Sequence, residues 1–158
     1  RMIRRTAAIA IAAVGAAALA VPLHAADFRT TADAPAVLYD APSAKARPQF
    51  VFGRDVPLEV LVSVEGWTKV RDVSGTIAWI ANKSLAERRV LQVRVASADV
   101  RATPDDAAPL SFRASESVLL ELAEPASSPG TTASPGWVKV KHRDGVVGYV
   151  RVSQVFGL

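Results

Sequence analysis

Aromatic and basic side chains are what this chain offers for chemistry, and they are suited to binding. Trp67 and Trp137 each follow a glycine at the start of a strand-like segment, and Tyr39 ends a short apolar run beside a turn. Large flat side chains at a groove provide contact area at little entropic cost, which suits a peptide or glycan ligand. Phe50, Phe52, Trp79, Phe112 and Tyr149 are the other aromatic candidates. Trp79 and Tyr149 lie mid-strand among small and aliphatic residues, so they read as core packing. Lys139, Lys141 and Arg143 share one strand face, with Lys69 and Arg71 as their counterparts. Such a face is able to meet an acidic polymer or anionic lipid. It is also the ordinary solvated face of an antiparallel sheet.

Catalysis finds no support. Nucleophilic chemistry needs a nucleophile, a base and an orienting group within hydrogen-bond reach. The chain has no cysteine and two histidines, His24 and His142. His142 stands between Lys141 and Arg143, as a solvated or edge histidine would. Asp105 and Asp106 are adjacent in a turn, where neighbouring side chains diverge. No set of His, Asp or Glu has the spacing of metal ligands. The expectation is a protein without enzymatic activity, metal or cofactor.

These residues are positioned by a repeat. Gly66-Trp67-Thr68-Lys69-Val70-Arg71 recurs 70 residues later as Gly136-Trp137-Val138-Lys139-Val140-Lys141. After each copy comes a glycine, Gly75 or Gly145, then Ile77-Ala78-Trp79-Ile80 or Val147-Gly148-Tyr149-Val150. Internal repetition on this scale implies two copies of one module. Earlier landmarks match at closer spacing: Pro42 and Pro104 are 62 apart, and Val56–Val62 and Ser117–Ala123 are 61 apart. The difference locates a nine-residue insertion within 125–135, a stretch of Pro, Ser, Thr and Gly that reads as an exposed loop. Short Val- and Leu-rich runs bounded by turn residues read as strands, with hairpin turns at Ser74-Gly75 and Asp144-Gly145. Residues 28–35 read as an irregular lead-in and 86–92 as a connector, which gives modules at 27–88 and 89–158.

Residues 1–26 have the layout of a secretory signal peptide. Arg1, Arg4 and Arg5 precede the apolar run Ala7–Val21, Pro22 ends it, and cleavage is expected after Ala25 or Ala26. That run of 15 residues is short for a membrane span. Removing three arginines from 19 Lys+Arg leaves 16 against 15 Asp+Glu, a net of +1. No concentrated basic face remains, so a nucleic-acid partner is not expected. Without cysteine, no disulfide supports two modules of this small size.

The motif Gly-Trp-x-Lys-Val, a turn glycine, then Ala78-Trp79-Ile80 or Gly148-Tyr149-Val150, resembles the bacterial Src-homology-3 (SH3b) domain family. Val100-Arg101-Ala102-Thr103-Pro104 is similar to the family's opening Val-Arg-x-x-Pro. The first copy has Leu38-Tyr39-Asp40-Ala41-Pro42 there, with tyrosine in place of arginine. The resemblance implies an all-β protein of two tandem five-stranded SH3-like barrels. It also implies an exported, periplasmic binding or adaptor protein whose partner is a peptidoglycan stem peptide or an envelope protein segment. Tyr39, Trp67, Trp137, Lys139 and Lys141 are the candidate ligand contacts. The alternative is a scaffold whose two barrels pack together in an envelope complex without a small ligand, in which case Tyr39, Trp67 and Trp137 would all be buried between them.

Overall fold

The computed structural model describes residues 26–32, 35–123 and 136–158. The expected signal peptide, apart from Ala26, and the expected insertion loop lie outside the described residues.

Among these residues the chain is all-β, with two single 3-10 turns, Asn82–Ser84 and Val152–Gln154. The first sheet holds β1 (Phe28–Thr31), β2 (Ala36–Tyr39), β3 (Pro48–Phe52), β4 (Pro57–Val64), β5 (Trp67–Arg71), β6 (Ile77–Ala81) and β7 (Leu85–Ala86). The second holds β8 (Val90–Val93), β9 (Ser97–Arg101), β10 (Leu110–Ser115), β11 (Leu119–Leu122), β12 (Trp137–Lys141), β13 (Val147–Arg151) and β14 (Val155–Phe156). The orders are β3-β2-β6-β5-β4-β1-β7 and β10-β9-β13-β12-β11-β8-β14. They coincide strand for strand.

Each sheet therefore has seven strands where five were expected, and its hydrogen-bonded order is open rather than a closed barrel. The additional strands come from segments that look unpromising in sequence. Phe28-Arg29-Thr30-Thr31, expected to be an irregular lead-in, is β1, with Thr30 and Thr31 buried. Burial of these hydroxyls is tolerable because they are hydrogen-bonded. Thr31 Oγ1 donates to the Gly53 carbonyl at 2.6 Å and accepts from the Val56 amide at 2.9 Å. In the same way, 86–92 is more than a connector, since Val90–Val93 is β8 and Leu91 is fully buried.

Alternation places the core. In β5, β6, β9 and β13 every second residue is buried, as expected for strands with one covered face. Leu38, Leu58, Val70, Ala78 and Ile80 fill the first core. Leu91, Val100, Leu120, Val140 and Val150 anchor the second. Gly148 marks a tight spot there, because a Cβ would sit 2.7 Å from Val100 Cγ1 and 2.8 Å from the Arg101 carbonyl. Trp79 and Tyr149, expected in the core, are instead half-buried on the other face. The pleat commits Ala78 and Ile80, or Gly148 and Val150, to the interior, so the residue between them must point outward.

The sheets meet through their ends. Phe28 of β1 meets Phe156 of β14 edge-to-face at 5.2 Å. Beside this junction lies a cleft of about 450 Å³ where Asp55, Arg88, Lys141 and His142 stand among Val90, Val118 and Leu119.

Candidate binding groove

The outer face of the first sheet carries an open groove of about 560 Å³ at the end of β2 and the start of β5. Its floor is aromatic. Tyr39 meets Trp67 edge-to-face at 5.4 Å and 88°, the geometry favoured by ring quadrupoles, and both are half-buried. Gly66, at a φ of 75°, supplies the left-handed turn residue that starts β5 with the indole directed into the groove.

Two loops make the walls. The 40–47 loop closes where the Asp40 amide donates to the Arg47 carbonyl at 3.2 Å and Asp40 Oδ1 accepts the Arg47 amide at 3.0 Å. It presents Ala44 to the groove. On the other side stands the turn Asn82–Ser84. The Asn82 amide donates to the Gly66 carbonyl at 3.0 Å, and the buried Thr68 hydroxyl donates to Asn82 Oδ1 at 2.7 Å. Pro35, Val37 and Ala81 add apolar surface, and Lys83 is the one charge among the described lining residues.

A second groove of about 400 Å³ occupies the corresponding place on the second sheet. Cross-strand pairing establishes the equivalence. Tyr39 lies opposite Trp79 as Arg101 lies opposite Tyr149. Trp67 lies opposite Ala81 as Trp137 lies opposite Arg151. Val37 lies opposite Val51 as Asp99 lies opposite Arg113. The apolar set of the first groove is thus replaced by charge. Arg101 and Arg113 each reach Asp99 at 2.8 Å, and Arg101 also donates to the Ala108 carbonyl at 3.1 Å. The Asp99 carboxyl is held below its ordinary value, chiefly by the hydrogen bond from Arg113. The Arg151 guanidinium pairs with Asp106 and lies 4.3 Å from the centre of the Trp137 ring. Trp137 is only 6% exposed.

The expected contact residues therefore separate. Tyr39 and Trp67 come together in the first groove, and neither is buried between the sheets. Trp137, expected as a ligand contact beside them, lies instead beneath Arg151 in the second groove. Lys139 Nζ stands over the Tyr149 ring at 6.0 Å, and Lys69 over Trp79 at 5.8 Å. Lys141 is exposed, paired across strands with Glu121, and lines the cleft between the sheets. Arg71 makes a two-pronged pair with Glu59 at 2.8 and 2.9 Å, which raises the guanidinium's proton affinity further. The basic strand face is thus matched with carboxylates and rings along much of its length. His142 packs against Phe112 and meets Asp144 at 3.0 Å. No group of three or more metal-type ligands occurs among the described residues. Arg151, Lys83 and Ala81 escaped the sequence reading, and Asp106 entered it only as one of two adjacent carboxylates. The hairpin turns at Gly75 and Gly145, which set Ala81 and Arg151 opposite the tryptophans, were the signal that could have found the first and third.

Residues 32–87 match the bacterial SH3 domain family. No curated protein matches the chain. Among solved structures, NlpC1 from Trichomonas vaginalis is 16% identical with a TM-score of 0.38, covering 86% of this chain and 47% of that one. NlpC2 from the same organism is 17% identical with a TM-score of 0.35, covering 82% and 46%. An NlpC/P60 family protein from Bacillus cereus ATCC 10987 is 12% identical with a TM-score of 0.35, covering 82% and 56%. The chain spans about half the length of these proteins, and likeness at this level carries no argument about its chemistry. The match to the bacterial SH3 domain family, a binding module, is more local, and it includes every residue that lines the open aromatic groove.

Proposed function

We propose that this is a non-catalytic, exported binding protein of the cell envelope whose first groove takes a short peptide. The observation that carries the reading is the uncovered Tyr39–Trp67 pair, framed by two hydrogen-bonded loops inside the segment that matches a binding-module family. Val37, Ala44 and Ala81 suit small apolar side chains, and Lys83 suits a carboxylate at one end of the groove. A peptidoglycan stem peptide, with its alanines and free carboxylates, has that chemistry. Residues 89–158 are, on this reading, a second module of the same kind with a different groove.

The test is retention on purified sacculi. The chain from residue 27 onward is expected to bind saturably, and Tyr39→Ala and Trp67→Ala are each expected to weaken retention about 30-fold while circular dichroism stays native-like. Saturable binding unaffected by both substitutions would place the ligand elsewhere. The scaffold reading draws support from the Phe28–Phe156 contact between the sheets. It would gain if sacculi do not retain the protein at all.

A further inference from the structure

The second groove has the same frame as the first and the same tryptophan at its floor, yet that tryptophan is covered. Arg151 covers it. In the first sheet the position opposite the tryptophan is Ala81, and the loop position corresponding to Asp106 is Ala44. Arg151 lies over the Trp137 face, with its Nε donating to Asp106 Oδ1 at 3.3 Å and Nη2 to Oδ2. We propose that the second groove is a latent peptide site held shut by this arginine latch. Opening the latch uncovers Trp137 as a second aromatic floor for the same class of ligand. This rests on the reading of the first groove as a peptide site.

The latch is weak enough to open. Its two arms are a cation–π contact and an ion pair whose partners are 39% and 72% exposed at the side chain. An exposed cation–π contact and a surface ion pair together disfavour the open state by roughly 3- to 30-fold. A ligand carboxylate able to replace Asp106 on Arg151 would open it in part, and salt would weaken the ionic arm. Asp99, Arg101 and Arg113 form a separate ion cluster on the groove's flank, so the latch can swing without disturbing them.

The test exchanges the latch for the alanines of the first groove. The double variant Arg151→Ala/Asp106→Ala is made in the full chain, with Arg151→Met as a partner that keeps the side-chain stem and loses the charge. Two readouts are taken. In a Trp67→Phe/Trp79→Phe background, acrylamide quenching of Trp137 is expected to rise several-fold in the double variant. With all three tryptophans present, calorimetric titration with a soluble stem tetrapeptide is expected to give two equivalents per chain instead of one, and the second is expected to survive Tyr39→Ala.

Unchanged quenching in both Arg151 variants would overturn the latch. Increased quenching with no uptake by a Tyr39→Ala/Arg151→Ala/Asp106→Ala chain, when the wild-type chain binds one equivalent, would overturn the latent site. A wild-type chain that takes up no tetrapeptide would instead count against the first groove as a peptide site, and the quenching arm still decides the latch.

Discussion

The two grooves are built on one backbone plan and differ almost entirely in side chains. At the floor and flank of the first stand Val37, Tyr39, Ala44 and Ala81. Their counterparts in the second are Asp99, Arg101, Asp106 and Arg151. Apolar residues leave the indole of Trp67 facing a cavity. The ionic residues satisfy one another, and one of them lies on Trp137. A shared strand order and a shared tryptophan thus do not produce the same groove. What decides is whether the residue across the ladder from the tryptophan is short enough to leave the ring uncovered.

The largest effect separating the grooves should be on stability. Trp137 is 6% exposed, so Trp137→Ala is expected to destabilise the second half by about 3–5 kcal/mol in urea unfolding. Half-buried Trp67 should lose clearly less when truncated. Equal losses would mean that the two rings are equally embedded and that the contrast is mistaken.

Next in size is binding. Truncating an aromatic anchor at the centre of a site removes about 2 kcal/mol or more, so Tyr39→Ala should weaken sacculus binding about 30-fold. Arg101→Ala, at the matching position, should leave binding within about twofold, in line with a rim or remote charge. An isotherm equally sensitive to both would move the ligand between the grooves.

A smaller effect is expected from carrying the latch across. Ala44→Asp with Ala81→Arg installs the closing pair in the first groove and should weaken binding by roughly 3- to 30-fold, with Trp67 becoming harder to quench. Undiminished affinity in this chain would show that the pair does not close an aromatic floor.

The smallest difference is in pH response. Asp99 has a folded pKa below its ordinary value near 3.8, so its ion cluster is fully stabilising above that value. The contribution is lost as pH falls through the lower folded value. Thermal melts should therefore show an acid limb below about pH 4 that Asp99→Asn flattens. Val37, its apolar counterpart, has no such limb to lose.

Much of this was legible in the residues. The Gly-Trp repeat and the turns at Gly75 and Gly145 fix β5, β6, β12 and β13, because a turn residue and period-two alternation together determine register. Tyr39 was recognisable as a tyrosine standing where the second copy has arginine. β1 was not legible, since its buried threonines look polar until their hydrogen bonds to Gly53 and Val56 are known. The outward placement of Trp79 and Tyr149 was misread from the apolar company they keep, although the pleat that buries Ile80 and Val150 already forces it. Arg151 went unnoticed because its role depends on lying across the β12–β13 hairpin from Trp137, which the strand register shows and the residue type does not.

The central claim is that one groove is open to a peptide and its twin is not. The three tryptophans, Trp67, Trp79 and Trp137, allow it to be tested directly by their indole N–H resonances during a stem-tetrapeptide titration of the isotopically labelled wild-type protein. A saturable shift of the Trp67 indole that tracks binding is expected, with any Trp137 shift following at a midpoint roughly 3- to 30-fold higher. A Trp137 shift at the same midpoint, or binding that leaves Trp67 unmoved, would contradict it.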